Sequence, residues 1–204
     1  MNHGQNFVTL TDSLLIGSGT ERDCYQHPDD PNLCIKVNNG KASPHKKPAK
    51  QNEIEYRYYT RFLNRQNNPA IVPRCHGWTE TNKGRGLVFD LIRNKNGDVA
   101  PSLLQALEAN QIQAKEAYDL LRTLKQQMLR EIIIPCDLHP RNILLQTTDN
   151  QTLLVLIDGI GNRNLVKFAD VIPWLGRLKI ERHWHRLEER LRQRHSLYFS
   201  DFSL

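Results

Sequence analysis

The sequence reads Cys136-Asp137-Leu138-His139-Pro140-Arg141-Asn142-Ile143-Leu144-Leu145, and further on an apolar run, Leu153 to Ile157, leads into Asp158-Gly159-Ile160-Gly161. Asp137 and Asn142 therefore precede one predicted strand, and another acid, Asp158, follows a second strand. A carboxylate can orient a hydroxyl and accept its proton, while an amide and a second carboxylate suit a hard cation whose other ligands are phosphate oxygens. We interpret this segment as a phosphoryl-transfer site.

The spacing of these residues is that of the catalytic loop and the metal loop of kinases. It predicts Asp137 as the catalytic carboxylate, with Asn142 beside it, and it predicts that Asn142 and Asp158 hold one or two Mg²⁺ ions against the phosphates of ATP. The alternative is an ordinary turn held by hydrogen bonds from side chain to backbone, with Asp158 capping a strand end. The upstream sequence favours the catalytic interpretation.

A glycine turn and a strand with one lysine occur upstream, in the order that such a site requires. Gly17, Ser18 and Gly19 follow a predicted strand and are expected to lie at the phosphates of the nucleotide. Lys36 lies in the apolar strand Leu33-Cys34-Ile35-Lys36-Val37 and is expected to contact the α and β phosphates. The alternatives are a hairpin turn for the glycines and a snorkelling side chain on an edge strand for the lysine.

A lysine on an apolar strand needs an anion to compensate for its desolvation. The helix that follows offers two acids, Glu53 and Glu55. Aromatic residues lie three, four and seven positions after Glu55, which makes that side of the helix the inward one, whereas Arg57 lies four positions after Glu53. We therefore expect Glu55 to pair with Lys36, and the alternative is a solvated helix acid.

The first half of the chain is predicted to form a small antiparallel sheet with one helix. Three short strands are expected within residues 7–38, then a helix over Gln51 to Gln66, then a hairpin around Asn82-Lys83-Gly84. The hairpin ends at a junction where the backbone groups of Asp90 and Ile92 are expected to meet adenine, because an exposed strand edge matches the donor and acceptor edge of the base.

The second half is predicted to be mainly helical. Helical periodicity begins near Ser102, and a short strand, Ile132 to Ile134, is expected to deliver the chain into the catalytic loop. At 204 residues and 23.7 kDa, residues 1–204 are expected to form one α+β domain with an N-lobe over 1–91 and a shortened C-lobe over 92–204. Too few residues follow Asp158 for an activation segment and peptide-docking helices, and no A-P-E sequence occurs there.

The net charge, the cysteines and the absence of long apolar runs indicate which partners and which compartment to expect. The net charge of +6 permits an anionic partner without requiring one. The four cysteines are widely spaced and are expected to be reduced thiols. There is no apolar run of transmembrane length and no secretory leader pattern, so the expected location is the cytoplasm.

The C-terminal helical pattern has an apolar stripe and a basic face. The stripe consists of Ile180, Trp184, Leu187 and Leu191, and the basic residues are Arg177, Lys179, Arg182, Arg186, Arg190, Arg192 and Arg194. Because three glutamates interleave with these bases, the face is interpreted first as a solvated helix surface and second as a site for an anionic partner. His139 is expected to pack or to hydrogen-bond within its loop, and it is assigned no chemistry.

With these residues in place, the chain resembles the protein-kinase-like superfamily and most closely the bacterial YrbL family, described as PhoP regulatory network proteins. The resemblance covers nearly the whole length. The segments that carry it are Ile16-Gly17-Ser18-Gly19, Cys24-Tyr25-Gln26-His27-Pro28, Cys34-Ile35-Lys36, Glu55 with Tyr58-Tyr59, Pro73-Arg74-Cys75-His76-Gly77, Pro140-Arg141-Asn142-Ile143-Leu144, and Asp158 with Ile160-Gly161.

The resemblance implies a compact two-lobed kinase-like fold with an ATP site. The loop around Asp137 also looks like that of aminoglycoside and choline phosphotransferases, which implies a small or non-peptide acceptor. Three positions depart from the kinase pattern. Pro135 and Cys136 replace the His and Arg that precede the catalytic Asp of protein kinases, so regulation by activation-loop phosphorylation is not expected, and Arg22 stands where the third glycine of the phosphate loop belongs.

Three functions remain open from the sequence. The first is an ATP-dependent phosphotransferase in which Asp137 positions an acceptor hydroxyl. The second is a nucleotide-binding regulatory module that turns over slowly or never and acts through a partner. The third is nucleotidyl transfer on the same fold. The acceptor, the oligomeric state and the physiological trigger are not determined by the sequence.

Overall fold

A computed structural model describes residues 7–41, 50–63, 69–161 and 172–199 of the chain. The chain divides into two units, the first comprising residues 1–68 and 73–91 and the second comprising residues 69–72 and 92–204. The chain passes from the first unit to the second after residue 91. Residues 69–72 go with the second unit, and there the Leu156 N–H donates to the Ile71 carbonyl at 2.8 Å.

The first unit is built on a five-stranded antiparallel sheet with the order β1-β2-β3-β5-β4. Its strands are β1 (Leu15–Ser18), β2 (Arg22–Gln26), β3 (Leu33–Asn38), β4 (Cys75–Thr79) and β5 (Gly86–Asp90). The three strands predicted within residues 7–38 are thus confirmed, as is the hairpin around Asn82-Lys83-Gly84. The central strand β3 is buried from Cys34 to Val37, which agrees with its almost uninterrupted apolar sequence.

One face of this sheet carries an apolar cluster that holds the N-terminal segment in place. Its buried members are Val8, Leu10, Tyr25, Ile35, Val37 and Val88. The segment is also tied to the β4–β5 turn, because the Asn82 side chain accepts from the Leu10 N–H at 2.7 Å and donates to the Leu10 carbonyl at 3.1 Å. The Gly86 position allows no side chain, since a Cβ there would collide with the Ile35 side chain on β3.

Helix α1 (Lys50–Tyr58) continues as a π-helical turn, Tyr59–Leu63. The predicted helix extended to Gln66, and its last residues lie outside the described residues. Tyr59 is fully buried and meets Phe89 of β5 edge to face at 5.3 Å between ring centroids. This contact fixes the helix against the sheet, because an aromatic pair of this geometry adds to the area that each ring buries.

The second unit is mainly helical. Its helices are α2 (Leu103–Glu108), α3 (Ala114–Glu131), α4 (Pro173–Arg194) and α5 (Ser196–Phe199), and its strands β6 (Ile143–Thr147) and β7 (Thr152–Leu156) form an antiparallel hairpin. Helix α2 begins with a capping box between Ser102 and Gln105. The predicted apolar stripe of α4 is confirmed, because Ile180, Trp184, Leu187 and Leu191 are all buried.

The strand predicted over Ile132 to Ile134 is wrong. Helix α3 runs on to Glu131, and Ile132 caps it in the left-handed region at φ +53° with its N–H bonded to the Met128 carbonyl. Ile133 and Ile134 are fully buried. In place of a strand ladder, this segment has an isolated β-bridge between Pro135 and Ile160. A run of three apolar residues marks burial, but it does not by itself distinguish a strand from a buried helix end.

The α+β class predicted from the sequence is confirmed by these elements, with the antiparallel sheet in the first unit and most helices in the second. None of the helices in the described part of the chain combines the length and the apolar character needed to cross a membrane.

Candidate functional site

The β6–β7 hairpin positions Asn142 and Asp158 in the second unit. Asn142 ends a short 3₁₀ turn, Pro140–Asn142, directly before β6, and Asp158 follows β7 after one residue. The Ile157 N–H donates to the Asn142 carbonyl at 2.9 Å, so the two strand ends remain paired up to these residues. The register of the hairpin thus brings the predicted metal ligands to the same end of two neighbouring strands.

The backbone of the catalytic loop is bound to the backbone that follows Asp158. The Gly159 carbonyl accepts from the N–H of Cys136 at 2.6 Å and from the N–H of Asp137 at 3.3 Å, while the Gly161 N–H donates to the Ile134 carbonyl at 2.9 Å. A glycine is required at position 159, because φ is +72° and a Cβ would collide with the Asp137 carbonyl oxygen. The loop that carries Asp137 and the loop that carries Asp158 are therefore in backbone contact.

His139 has the structural role that the sequence suggested. Its Nδ1 accepts from the Arg141 N–H at 3.2 Å and so caps the 3₁₀ turn before β6. Burial lowers the pKa of His139 below its usual value, and the charges of Arg190, Arg141 and Arg194 lower it further against the opposing charge of Asp137. A neutral imidazole can keep the acceptor nitrogen that this cap needs.

Asp137 is half exposed and bound to the C-terminal helix. Arg190 of α4 places Nη1 at 3.2 Å from Asp137 Oδ1 and at 2.9 Å from the Leu138 carbonyl oxygen. Arg190 keeps 37% of its side-chain area exposed, and Asp137 keeps 52%. The basic tail was expected to face solvent or an anionic partner, and the structure instead brings one of its arginines to the predicted catalytic carboxylate.

Glu55 in the first unit is buried, and its carboxylate binds Arg22. Arg22 Nη1 lies 2.6 Å from Oε2 and Nη2 lies 3.2 Å from Oε1, which makes a two-pronged pair with side-chain exposures of 7% and 1%. Arg22 Nη1 also donates to Asn52 Oδ1 at 2.7 Å, and Asn52 Nδ2 donates to the Lys36 carbonyl at 3.0 Å. Glu53 is exposed and pairs with Arg57, so Glu55 is the inward acid, as its aromatic neighbours indicated.

Lys36 lies in the interior of the first unit beside this cluster. Its exposure is 6%, and its Nζ lies 4.4 Å from the centre of the Phe89 ring, which is a cation–π contact. Burial raises the pKa of the Cys75 thiol to about 11, with Glu55 raising it further and with a Gly77 backbone hydrogen bond and the charge of Lys36 lowering it. Both Lys36 and Glu55 thus act on one buried thiol, while their direct pairing stays a prediction.

The predicted phosphate turn is an exposed hairpin end. Strand β1 ends at Ser18, and the Gly19 N–H donates to the Arg22 carbonyl at 2.8 Å. Ser18 Oγ donates to Asp23 Oδ1 at 2.6 Å and lies 3.1 Å from Lys41 Nζ, while Asn39 Nδ2 donates to the Gly19 carbonyl at 3.0 Å. The turn is accessible to a ligand, but its contact with phosphate stays a prediction.

Asp23 is an acidic residue of β2 beside this turn. Burial opposes ionisation, but hydrogen bonds from Ser18 and Asn39 and the charges of Lys41 and Lys83 outweigh that effect and lower the pKa of the Asp23 carboxyl.

The backbone groups of the two residues expected to contact adenine are bonded within their own units. The Asp90 N–H at the end of β5 donates to the Arg74 carbonyl at 3.1 Å, and the Asp90 carbonyl accepts a weak bond from the Cys34 thiol at 3.8 Å. The Ile92 carbonyl of the second unit accepts from the Ala100 N–H at 2.9 Å. The Asp90 N–H and the Ile92 carbonyl are thus used within the fold, and adenine binding at these residues stays a prediction.

Asn142 and Asp158 fit the chemistry of Mg²⁺ with an ATP phosphate. The described residues contain no group of three or more His, Cys, Asp or Glu side chains that could hold a metal ion by themselves. Mg²⁺ does not need one, because it usually takes one or two protein oxygen ligands and completes its octahedron with substrate phosphates and water. An amide and a carboxylate oxygen at paired strand ends supply such ligands.

Two residues of these clusters were missed from the sequence. Arg22 lies at a buried position of β2. A buried arginine needs an anion to compensate for its desolvation, as Lys36 does, so the same argument would have predicted an acid partner for Arg22. No local signal could have linked Arg190 to Asp137, since the two residues are 53 positions apart and belong to elements of unrelated periodicity.

Comparison with known proteins identifies the family. Residues 8–192 match the family described as PhoP regulatory network protein YrbL. The YrbL proteins of Escherichia coli (strain K12) and of Shigella flexneri are each 31% identical to this chain over 184 residues, which cover 88% of this chain and 85% of the relative.

The solved structures that resemble this chain have a lower sequence identity to it than the two YrbL relatives have. The Mycobacterium tuberculosis PknI kinase domain has 17% identity and a TM-score of 0.49 over 80% of this chain, and a double mutant of that domain has 16% identity and a TM-score of 0.48 over 71%. The chain spans 64% and 56% of those two kinase-domain chains. From the match over residues 8–192 and the identity to the two relatives, the chain belongs to the YrbL family.

Proposed function

We propose that this protein is an ATP-dependent phosphotransferase that acts on a small or non-peptide acceptor. In the proposed step a hydroxyl oxygen of the acceptor bonds to the γ phosphorus of ATP, the bond from that phosphorus to the bridging oxygen breaks, and ADP leaves. The hydroxyl proton passes to the Asp137 carboxylate. Catalysis comes from positioning and from neutralisation of charge on the transferred group rather than from covalent chemistry of the protein.

The observation that carries the proposal is the arrangement of Asp137, Asn142 and Asp158 in the second unit. Backbone hydrogen bonds from Asp137 to Gly159 and from Ile157 to Asn142 bring the loops of these three residues into contact. Asp137 is half exposed and so accessible to a hydroxyl. A proton acceptor beside two oxygen ligands for a hard cation is the arrangement that phosphoryl transfer uses.

We assign further groups of the chain to the nucleotide. Lys36 would contact the α and β phosphates, the turn Gly17-Ser18-Gly19 would lie over them, and Asp90 and Ile92 would offer backbone groups to adenine. Glu55 would orient the cluster around Lys36. Mg²⁺ held by Asn142 and Asp158 would neutralise the β and γ phosphates when ATP is bound. We place the activity in the cytoplasm, where ATP is available and thiols stay reduced.

The test is product release from purified protein with ATP, Mg²⁺ and a mixture of small hydroxyl compounds. We expect ADP, and we expect Asp137→Asn to abolish its release while leaving nucleotide binding intact. Asp158→Ala should abolish the dependence of nucleotide binding on Mg²⁺. Release of AMP instead of ADP would indicate nucleotidyl transfer, and unaltered activity in Asp158→Ala would refute the metal assignment. Glu53→Ala, at an exposed residue outside the site, serves as the matched control.

A second candidate function is a nucleotide-binding regulatory module that turns over slowly or never. The hydrogen bond from Arg190 to Asp137 favours it, because this contact occupies one carboxylate oxygen that a hydroxyl would need. The family description as a regulatory-network protein is in line with such a role. The two functions separate on one variant: Asp137→Asn removes activity under the first and leaves partner binding intact under the second.

A further inference from the structure

Helix α4 carries a row of basic side chains on the side that reaches the catalytic loop. We call it the basic stripe, and its members are Lys179, His183, Arg186, Arg190 and Arg194. Their spacings of four, three, four and four residues place them on one face of a helix, over a length of about 22 Å. Arg190 anchors this face at the loop through its bonds to Asp137 and to the Leu138 carbonyl.

Positive charge exceeds negative charge around Asp137. His139 in the loop and His183 on the helix are both partly buried, and besides burial the pKa of each is lowered by nearby cations. The cations that act on these two histidines are Arg141, Lys179, Arg182, Arg186, Arg190 and Arg194, and the one carboxylate that acts on both is Asp137. These six cations outnumber Asp137 and Asp158, the acids of the two loops in contact, so the surface beside them attracts anions.

The acids of α4 are engaged with other partners. Glu181 bonds to Lys125 of α3 at 3.0 Å. Glu188 approaches Arg192 at 3.5 Å, and Glu189 approaches His185 at 3.4 Å. Glu181 and Glu188 lie on the opposite side of the helix from the stripe, and Glu189 lies about 100° around the helix from it. The division of charge between the two sides follows from the positions of these residues on the helix.

We propose that the basic stripe is the binding site for the acceptor, and that the acceptor is a small molecule with a phosphate group as well as the hydroxyl that is phosphorylated. This inference rests on the proposed function. The phosphate is recognised by Arg190 with Arg186 and Arg194, since a guanidinium offers two parallel N–H donors to a phosphate. Because Arg190 joins the stripe to the loop, we place the hydroxyl of an acceptor bound there beside Asp137.

Arg190 links recognition of the acceptor to availability of the base. One of its nitrogens is bonded to Asp137 Oδ1 at 3.2 Å. The pair is exposed enough for exchange, because solvent weakens an ion pair at the surface and another ion can replace either partner. A phosphate that takes over the Arg190 donors releases the Asp137 carboxylate for the hydroxyl. The contact that favours an inactive module is, in this proposal, the one that an anionic acceptor replaces.

The first experiment measures binding of inorganic phosphate to the full chain without nucleotide, by calorimetry at low ionic strength. The variants are Arg190→Gln and the double variant Arg186→Gln with Arg194→Gln. The matched control is Arg177→Gln, which removes the same charge from the same helix about 20 Å from Arg190 along the axis. We expect phosphate to bind the wild type and the control equally, and at least tenfold more weakly to both stripe variants. Equal binding to all four proteins, or none to the wild type, would overturn the proposal.

A second measurement separates this inference from the proposed function. ADP release is compared with glycerol and with glycerol 3-phosphate as acceptors, in the wild type and in the double variant. A preference for the phosphorylated compound that the double variant loses supports the acceptor site. ADP release that requires Asp137 but is the same for both compounds overturns the site and leaves the phosphotransferase standing. Binding of a short DNA duplex by the stripe, without binding of inorganic phosphate, also overturns it, because the stripe would then serve a polyanion.

Discussion

The two units each contain an arginine bound to a carboxylate of the candidate site, and the two pairs differ in almost everything except their chemistry. Arg22 and Glu55 are 2.6 Å apart and almost fully buried. Arg190 and Asp137 are 3.2 Å apart and keep a third to a half of their side-chain area in solvent. The first arginine makes a two-pronged contact with its carboxylate, whereas the second divides its Nη1 between the carboxylate and a backbone carbonyl.

The difference separates a structural ion pair from an exchangeable one. Loss of one partner of a buried pair leaves an uncompensated charge in the interior, so such a pair holds its neighbours in one arrangement. An exposed pair is opposed by solvent and by side-chain entropy, and another ion can replace either partner at little cost. We therefore infer that Glu55 stabilises the first unit, while Arg190 is free to exchange Asp137 for a ligand.

The largest expected effect is the loss of Glu55. Glu55→Ala leaves the Arg22 guanidinium buried without its carboxylate and is expected to destabilise the protein by about 3–5 kcal/mol. The free energy of unfolding in urea, followed by far-UV circular dichroism, measures it. Glu53→Ala removes an exposed acid of the same helix and should cost less than about 1 kcal/mol. Similar losses in the two variants would show that the buried pair is not the stabilising contact.

The next effect tests the contact between the two loops of the second unit. Gly159→Ala combines a positive φ with a collision against the Asp137 backbone, and we expect a loss of about 2–5 kcal/mol together with a loss of any activity that depends on Asp137. Gly97→Ala is the matched control, because Gly97 has φ +87° and open space around the added Cβ. It should cost only the strain, about 1–2 kcal/mol. Equal unfolding free energies for both variants would contradict the loop contact.

The exposed pair should contribute little to stability. Arg190→Gln is expected to lower the free energy of unfolding by less than about 1 kcal/mol, and a double-mutant cycle with Asp137→Asn should give a coupling of similarly small size. The same cycle on Arg22 and Glu55 should give a much larger coupling. A coupling between Arg190 and Asp137 as large as that of the buried pair would remove the contrast between the units.

The smallest effect is a pH dependence. Burial and the charges of Arg186, Lys179 and Arg182 lower the pKa of His183 in the folded protein, against the opposing charge of Asp137. Below about pH 6.5 the unfolded chain therefore binds the proton more readily, and stability falls as the pH drops through that value toward the lower folded pKa. His183→Asn should flatten this part of the profile of melting temperature against pH. A slope that His183→Asn leaves unchanged would contradict the lowered pKa.

Much of the fold followed from local patterns. The alternating and apolar runs predicted β1 to β3, the β4–β5 hairpin and the two strands that flank the candidate metal ligands, because strand periodicity is read over a few residues. The stripe of Ile180, Trp184, Leu187 and Leu191 predicted the long helix in the same way. Ile132 to Ile134 were misassigned, since a short buried run has no periodicity that separates a strand from a helix end.

The candidate site could be predicted only as far as its residues share an element or a short connection. Asp137, Asn142 and Asp158 belong to a loop and hairpin of adjacent sequence, so their spacing carries the information about their geometry. The choice of Glu55 over Glu53 followed from one helix face. The partner of Glu55 did not follow, because a strand and a helix 33 residues apart leave the register between them open.

The amino-acid sequence by itself determined the elements, the α+β class, the family and the chemical types at the candidate site, because each of these depends on neighbours along the chain. The tertiary structure decided that Arg22 meets Glu55 and that Arg190 meets Asp137. Both contacts join residues far apart in sequence, and they depend on how a helix packs on a sheet or a loop. That packing is set by the fit of whole apolar faces rather than by the charged residues, so the charges alone could not reveal which of them would meet.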